Sequence, residues 1–251
     1  MRSFFLFGAL FLFLLYGCTD EPKISFIQQN LVESSCEECP QVTIDVPQAQ
    51  GEDTAVAKIN QEIHDYIIRV FDYTEENEIS SIDDAVEAFK NGYQTLKKRF
   101  PDDIVSWQAD ITGDVVYRNK HLVSIRIENY MFTGGAHGYS YIYFLNFDIN
   151  TGKVLEQSDL FTDLGAFTDL AEQIFRKQEG IEPEANINNS GFMFENDQFH
   201  LPNSIGFNEK GIELIYSPYE IAAYSDGFTT IDIPLEQVKE FIKPEWLDEV
   251  P

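Results

Sequence analysis

Positive charge is scarce in this sequence of 251 residues. It has 17 Lys and Arg against 43 Asp and Glu, and its formal net charge is −26. Affinity for nucleic acids comes from Lys and Arg that neutralise phosphates, so this composition excludes general nucleic-acid binding. It also argues against docking of the folded surface on anionic lipid headgroups. A cationic partner, or a charge that serves only solubility, fits better.

The sequence also lacks an apolar run long enough to span a bilayer, which takes about 20 residues. A shorter run at residues 4–15 follows the charge of Arg2, as is typical of a secretory signal. The run ends at Gly17 and Cys18, and this ending resembles the bacterial lipobox. We therefore expect cleavage after residue 17 and a membrane anchor of acyl chains on Cys18. An ordinary signal peptide with a chance Cys is the alternative.

Cysteine is rare too, with three in the chain. If Cys18 is acylated, Cys36 and Cys39 remain, and outside the cytoplasm so close a pair favours a local disulfide. A redox pair needs a lowered thiol pKa, which Glu37 and Glu38 between the two sulfurs oppose. A zinc site would need two more ligands at suitable spacing. The disulfide is our prediction, and metal binding or redox chemistry is the alternative.

Hydrophobic periodicity predicts a mixture of helices and strands rather than a regular alternation of the two. Strands are predicted at 24–32, 41–46, 104–117, 121–132, 139–149, 206–215 and 227–233, and helices at 56–70, 82–96, 163–177 and from 235. This order favours an α+β fold, with helices packed on compact antiparallel sheets in a single globular unit.

The same patterns suggest how the chain is divided. Residues 1–17 are the predicted signal peptide, and residues 18–40 are a lipid-anchored tether with the first strand and the Cys loop. Residues 41–130 form a half of helices and strands, and residues 131–251 form the C-terminal half. The acidic residues after Cys18 leave two locations open: the cell surface, or a periplasm-facing anchor in the outer membrane of a bacterial envelope.

Two stretches carry the candidate ligand-binding residues. In the first, Gly134, Gly135 and His137 stand between two strong strands, where glycines permit positive φ and His could face a ligand. The alternative, which we favour, is a glycine-bulged connection whose His bonds to the backbone.

The second stretch, residues 216–227, places Tyr219, Glu220 and Tyr224 in a loop that could form a polar recognition surface. The alternative, which we favour equally, is a structural corner in which the Tyr hydroxyls form hydrogen bonds with buried backbone groups. The other His residues are scattered and no spaced Asp/Asn loop for calcium is present, so we expect no metal and no cofactor. We assign no catalytic residue.

Several short motifs together are similar to a known family. They are Thr-Gly-Gly-Ala-His-Gly at 133–138, Asn-Phe-Asp at 146–148, Thr-Gly-Lys at 151–153, Asp-Leu-Phe at 159–161 and Tyr-Glu-Ile-Ala at 219–222. Over residues 40–245 the chain resembles the RsiV-like extracytoplasmic domain of unknown function. That domain forms the outer part of the lysozyme-sensing anti-sigma factor RsiV and accompanies some peptidoglycan deacetylase domains. Ala223 departs from the usual Pro, which loosens only the turn.

The resemblance implies a compact α+β fold, and the family offers no established catalytic residues to carry over to His137 or Glu220. Our first hypothesis is a lipid-anchored binding or sensing module of the cell envelope without catalysis, whose ligand is a cationic protein such as lysozyme or a cell-wall glycan. A hydrolase of wall glycan is the second hypothesis, with His137 and nearby acids as the acid/base groups. A structural subunit of an envelope complex is the third.

Overall fold

The computed structural model describes residues 24–34, 39–71, 79–102 and 105–248. The strands are β1 (Ser25–Ser34), β2 (Gln41–Gln50), β3 (Gln108–Arg118), β4 (Leu122–Phe132), β5 (Tyr139–Asp148), β6 (Ser204–Asn208), β7 (Gly211–Tyr216) and β8 (Thr229–Pro234). The helices are α1 (Thr54–Phe71), α2 (Ile82–Arg99), α3 (Gln157–Leu160), α4 (Leu164–Glu179) and α5 (Leu235–Val238). The predicted α+β class is confirmed. The predicted signal peptide, Cys18 and Cys36 lie outside the described residues.

The first five strands form one sheet in the order β1-β2-β3-β4-β5. Neighbouring strands are antiparallel except β2 and β3, which run parallel with Val42 opposite Ala109. Parallel neighbours need a crossover connection, and α1 and α2 supply it. The sheet is therefore mixed, although the sequence pattern indicated antiparallel pairing.

Helices α1 and α2 cover one face of this sheet. Apolar residues recur on α1 with helical spacing, and Ile59, Ile63 and Ile67 are fully buried. Ser81 caps the start of α2, because its hydroxyl accepts a hydrogen bond from the Asp84 amide at 3.1 Å. Both helices pack on the strands through the largest of the three apolar clusters in the described residues.

Strands β6, β7 and β8 form a second, antiparallel sheet, which packs on the other face of the first. A Cβ on Gly206 would lie 2.0 Å from the Phe144 ring, so the two sheets can approach closely at this point because Gly206 has no side chain. Strand β4 runs between the two layers and is buried on both of its faces from Leu122 to Ile125. Helix α4 closes the second apolar cluster.

A buried polar network joins the two sheets. The Ser124 hydroxyl donates to the Asn146 side-chain oxygen at 2.7 Å, and the Asn146 amide donates to the Ile205 carbonyl at 2.8 Å. The Phe207 amide donates to the Ser124 hydroxyl at 3.2 Å. Ser124 and Asn146 face each other across β4 and β5, so this network fixes β6 against both strands.

Some predicted boundaries were wrong. β2 continues through Pro47, because its pairing with β3 ends at Asp45 and the sheet needs no donor from Pro47 on that side. The strand predicted at 206–215 is a hairpin, in which the Asn208 side chain accepts the amides of Lys210 and Gly211. The last helix has only four residues, because the chain turns back and Ile242 bridges Phe161.

Within the described residues, every helix is too short or too polar to cross a bilayer.

Candidate functional site

The loop between β4 and β5 carries the first group of predicted site residues. Gly134 and Gly135 have φ of 101° and 89°, a backbone conformation that glycine adopts without strain. A Cβ on Gly138 would lie 2.3 Å from the Tyr130 ring, so the loop passes directly against that side chain. The His137 side chain is exposed, and its Nδ1 lies 2.9 Å from the Gly138 carbonyl oxygen.

The loop between β7 and β8 carries the second group. The carboxylate of Glu220 accepts the Ser217 amide at 2.9 Å and the Asn203 amide at 3.2 Å. These bonds hold a turn in which Tyr219 takes a φ of 72°, which is uncommon for a residue with a bulky side chain. The result is that Tyr219 projects from the loop with 56% of its surface exposed.

The structure brings these two loops together. The rings of His137 and Tyr224 stack with centroids 3.8 Å apart at 16°, and the Tyr224 hydroxyl donates to the Gly138 carbonyl at 2.8 Å. Tyr219 lies 5.5 Å from Tyr224, centroid to centroid. The Tyr139 hydroxyl donates to the Pro218 carbonyl at 3.4 Å. All six predicted ligand-binding residues therefore belong to one pair of touching loops.

We call the rings at this junction the aromatic loop surface, which consists of His137, Tyr139, Tyr219 and Tyr224. Two of them are large side chains with unusual exposure: Tyr219 at 56% and Tyr139 at 43%. Tyr and other aromatic residues are enriched where proteins bind proteins.

Two acidic side chains of the second loop lie beside this surface. Burial, and then the charge of Glu220, raises the pKa of Tyr139, and Asp226 lies exposed next to Tyr224 in the chain. The aromatic rings therefore have negative charge beside them.

His137, which was proposed for acid/base chemistry, and Glu220, the acid of the neighbouring loop, both have structural partners. Glu220 uses both carboxylate oxygens to accept backbone amides, and His137 stacks on Tyr224 with one ring nitrogen beside a backbone carbonyl. In the described residues no hydrogen bond or ion pair joins His137 to a carboxylate.

Sequence reasoning missed a groove between α1 and the end of the first sheet. We call it the aromatic groove; its volume is about 560 Å³, and Tyr66, Arg69, Val70, Asn129, Met131, Thr133, Tyr139 and Tyr141 line it. It begins at the first residue of the 133–138 loop, and Tyr139 separates it from the 216–227 loop. The signal was the alternation of Tyr139, Tyr141 and Tyr143, which places three phenols on one face of β5.

The tyrosines of the groove are desolvated. Burial, and then the charge of Glu220, raises the pKa of Tyr141 to about 12. The same two causes raise the pKa of Tyr139. Burial also raises the pKa of Tyr66, whose hydroxyl accepts a hydrogen bond from the Asn129 amide at 2.8 Å. These phenols stay neutral at ordinary pH and can donate hydrogen bonds.

Two further predictions stay open. Cys39 is described but Cys36 is not, so the disulfide between them remains a prediction. Within the described ranges, no three His, Cys, Asp or Glu side chains are grouped closely enough to hold a metal ion.

Two family models match the chain, one in each part. Residues 33–140 match the model described as Deacetylase PdaC, and residues 158–236 match the one described as Protein of unknown function (DUF3298). The peptidoglycan-N-acetylmuramic acid deacetylase PdaC of Bacillus subtilis (strain 168) is 24% identical over 145 residues, which cover 56% of this chain and 30% of that enzyme. The match thus spans less than a third of the enzyme's length.

Solved structures show the same fold. A member of the DUF3298 family from Bacteroides fragilis NCTC 9343 has a TM-score of 0.63 at 22% identity, over 88% of this chain and 94% of that one. A DUF3298 family protein from Pseudomonas aeruginosa PAO1 has a TM-score of 0.60 at 21% identity, over 91% and 98%. The chain is therefore similar to the PdaC model in its first part and to DUF3298 in its second, and it shares the fold of solved DUF3298 proteins.

Proposed function

We propose that this protein is a non-catalytic binding module of the bacterial cell envelope that docks a cationic protein on the aromatic loop surface. The observation that carries the proposal is the exposure of Tyr139 and Tyr219 on two touching loops, with the carboxylates of Glu220 and Asp226 beside them. Exposed aromatic side chains at the centre and charges at the edge are the usual arrangement of a protein-binding surface.

Charge supports a basic partner. With a net charge of −26, the whole chain attracts cations and raises the rate of encounter with a basic protein. Such steering falls with ionic strength, because salt screens exposed charges over a Debye length of about 10 Å at 0.1 M. Lysozyme is a strongly basic protein of this kind, and the resemblance of the short motifs at 133–161 and 219–222 to the RsiV-like domain supports the same partner.

The envelope location and the anchor belong to the same proposal. The similarity to a peptidoglycan deacetylase supports a position outside the cytoplasm. Acylation of Cys18 would hold the module on a membrane through its lipid, so the acidic surface would not have to approach anionic headgroups.

The hydrolase alternative has less support. The carboxylate of Glu220 accepts hydrogen bonds from the amides of Ser217 and Asn203, and these bonds suit a residue that stabilises the loop better than a catalytic acid. A structural subunit would also use an exposed apolar surface, and its partner would then be another envelope protein of any charge.

Titration calorimetry with hen egg-white lysozyme at low and at moderate salt tests the proposal. We expect binding at low salt that weakens as salt is added, and a loss of affinity of about ten-fold in Tyr219→Ala. Phe100→Ala is the matched control, because Phe100 is 45% exposed at the end of α2, outside the two loops. Absence of binding at low salt, or an equal loss in both variants, would refute the proposal.

A further inference from the structure

The aromatic groove has the size and walls of a small-molecule site. Its volume of about 560 Å³ lies within the usual range for ligand pockets. Tyr139, Tyr141, Met131 and Val70 supply apolar surface, while Asn129 and the Tyr66 hydroxyl supply polar groups. Predominantly apolar walls with a few polar groups are typical of sites that orient one small ligand.

Aromatic rings and hydrogen-bonding groups lie side by side in the lining of the groove. Tyr66 and Tyr141 both stack on Tyr143, with centroids 5.3 Å apart at 14° and 6.3 Å apart at 22°, so neighbouring rings fix their orientation. A sugar ring presents C–H groups on its face and hydroxyls on its edge. The negative faces of aromatic rings attract the C–H groups, and phenol and amide groups form hydrogen bonds with the hydroxyls.

The Tyr66 hydroxyl is placed to contribute such a bond. It accepts from Asn129, and in the described part of the chain no acceptor takes its own proton. Tyr66 is buried to 7% exposure at the wall of the groove. A ligand oxygen at this position would accept that proton, and it would complete the hydrogen bonding of a nearly buried group.

Among the described residues, the groove carries one charge, and it is positive. None of the described lining residues is Asp or Glu, and Arg69 lies with its guanidinium carbon 6.0 Å from the centre of the Tyr66 ring. No carboxylate of the described residues is within ion-pair distance of Arg69. An anionic group entering the groove would therefore find a cation that none of the described carboxylates neutralises.

We propose that the aromatic groove binds a sugar ring that carries a carboxylate. The ring lies against Tyr139 and Tyr141, its hydroxyls reach Tyr66 and Asn129, and its carboxylate pairs with Arg69. The groove and the aromatic loop surface share only Tyr139. Lysozyme binding and sugar binding can therefore fail independently, and Tyr219→Ala should leave the sugar site intact.

NMR titration of the full chain with three probes separates the parts of this ligand. Glucuronic acid carries both ring and carboxylate, glucose carries the ring alone, and acetate carries the carboxylate alone. We expect glucuronic acid to bind about five-fold more tightly than glucose, as for a partly exposed ion pair, and acetate to bind least. The shifted resonances should include the side chains of Arg69 and Asn129.

Matched variants test the ion pair. Arg69→Gln should reduce the affinity for glucuronic acid to that for glucose and leave glucose binding unchanged. Lys177→Gln removes the same charge from an exposed position on α4 and should keep the five-fold preference. Equal binding of the two sugars by the unaltered protein, no sugar binding at all, or an equal effect of both variants would overturn the proposal.

Discussion

Removing the Ser124 hydroxyl should destabilise the protein, because it breaks the polar network between the two sheets. Ser124 is fully buried, and its hydroxyl both accepts from the Phe207 amide and donates to Asn146. In Ser124→Ala the Phe207 amide and the Asn146 oxygen each lose a partner. An unsatisfied buried group costs about 1–3 kcal/mol, so we expect a loss of about 3 kcal/mol in the free energy of unfolding.

Urea denaturation measures this loss as a lower midpoint with an unchanged slope. Ser225→Ala is the control, because Ser225 is exposed, and its effect should stay within about 0.5 kcal/mol. Asn146→Leu should also destabilise, and the double variant should lose at least about 1 kcal/mol less than the sum of the single losses. A loss below about 1 kcal/mol in Ser124→Ala, or strict additivity, would show that the network is not coupled as described.

Three further predictions concern the two candidate sites. Gly138→Ala places a Cβ 2.3 Å from the Tyr130 ring, so its unfolding free energy in urea should fall by about 1–3 kcal/mol; an unchanged value would contradict the tight packing. The pKa of Tyr141, about 12 in the fold, exceeds the usual 10.0, so its contribution to stability is complete below pH 10 and is lost as pH rises towards 12. Tyr141→Phe should therefore flatten the alkaline decline in stability, and an equal slope would contradict this. Tyr224→Phe keeps the ring against His137 but loses the bond to Gly138, so calorimetry should show a smaller loss of lysozyme affinity than in Tyr224→Ala.

The sequence predicted elements whose signals are local. Apolar residues every three or four positions identified α1, α2 and α4 to within a few residues of their ends. The sequence also identified the stretches at 133–138 and 216–227 as the two candidate binding loops. What the sequence did not show is that they touch, because stacking of His137 on Tyr224 depends on how the second sheet packs on the first.

The features that sequence reasoning missed depend on distant partners. Pro47 usually ends a strand, and it is tolerated here because β3 stops pairing with β2 two residues earlier. The four-residue α5 was expected to be longer, since Leu235, Val238 and Ile242 have helical spacing; pairing of Ile242 with Phe161 overrides that preference. The aromatic groove combines Arg69 of α1 with tyrosines of β5, far away in the chain.

Strand β4 has a consequence for how the molecule responds to its ligands. It packs on the helical layer with one face and on the second sheet with the other, so neither layer can unfold without exposing it. The segments that match two separate families should therefore melt in one cooperative transition. A ligand held by the loops or by the groove would then raise the melting temperature of the whole chain, and protection from proteolysis would extend to strands that the ligand never touches.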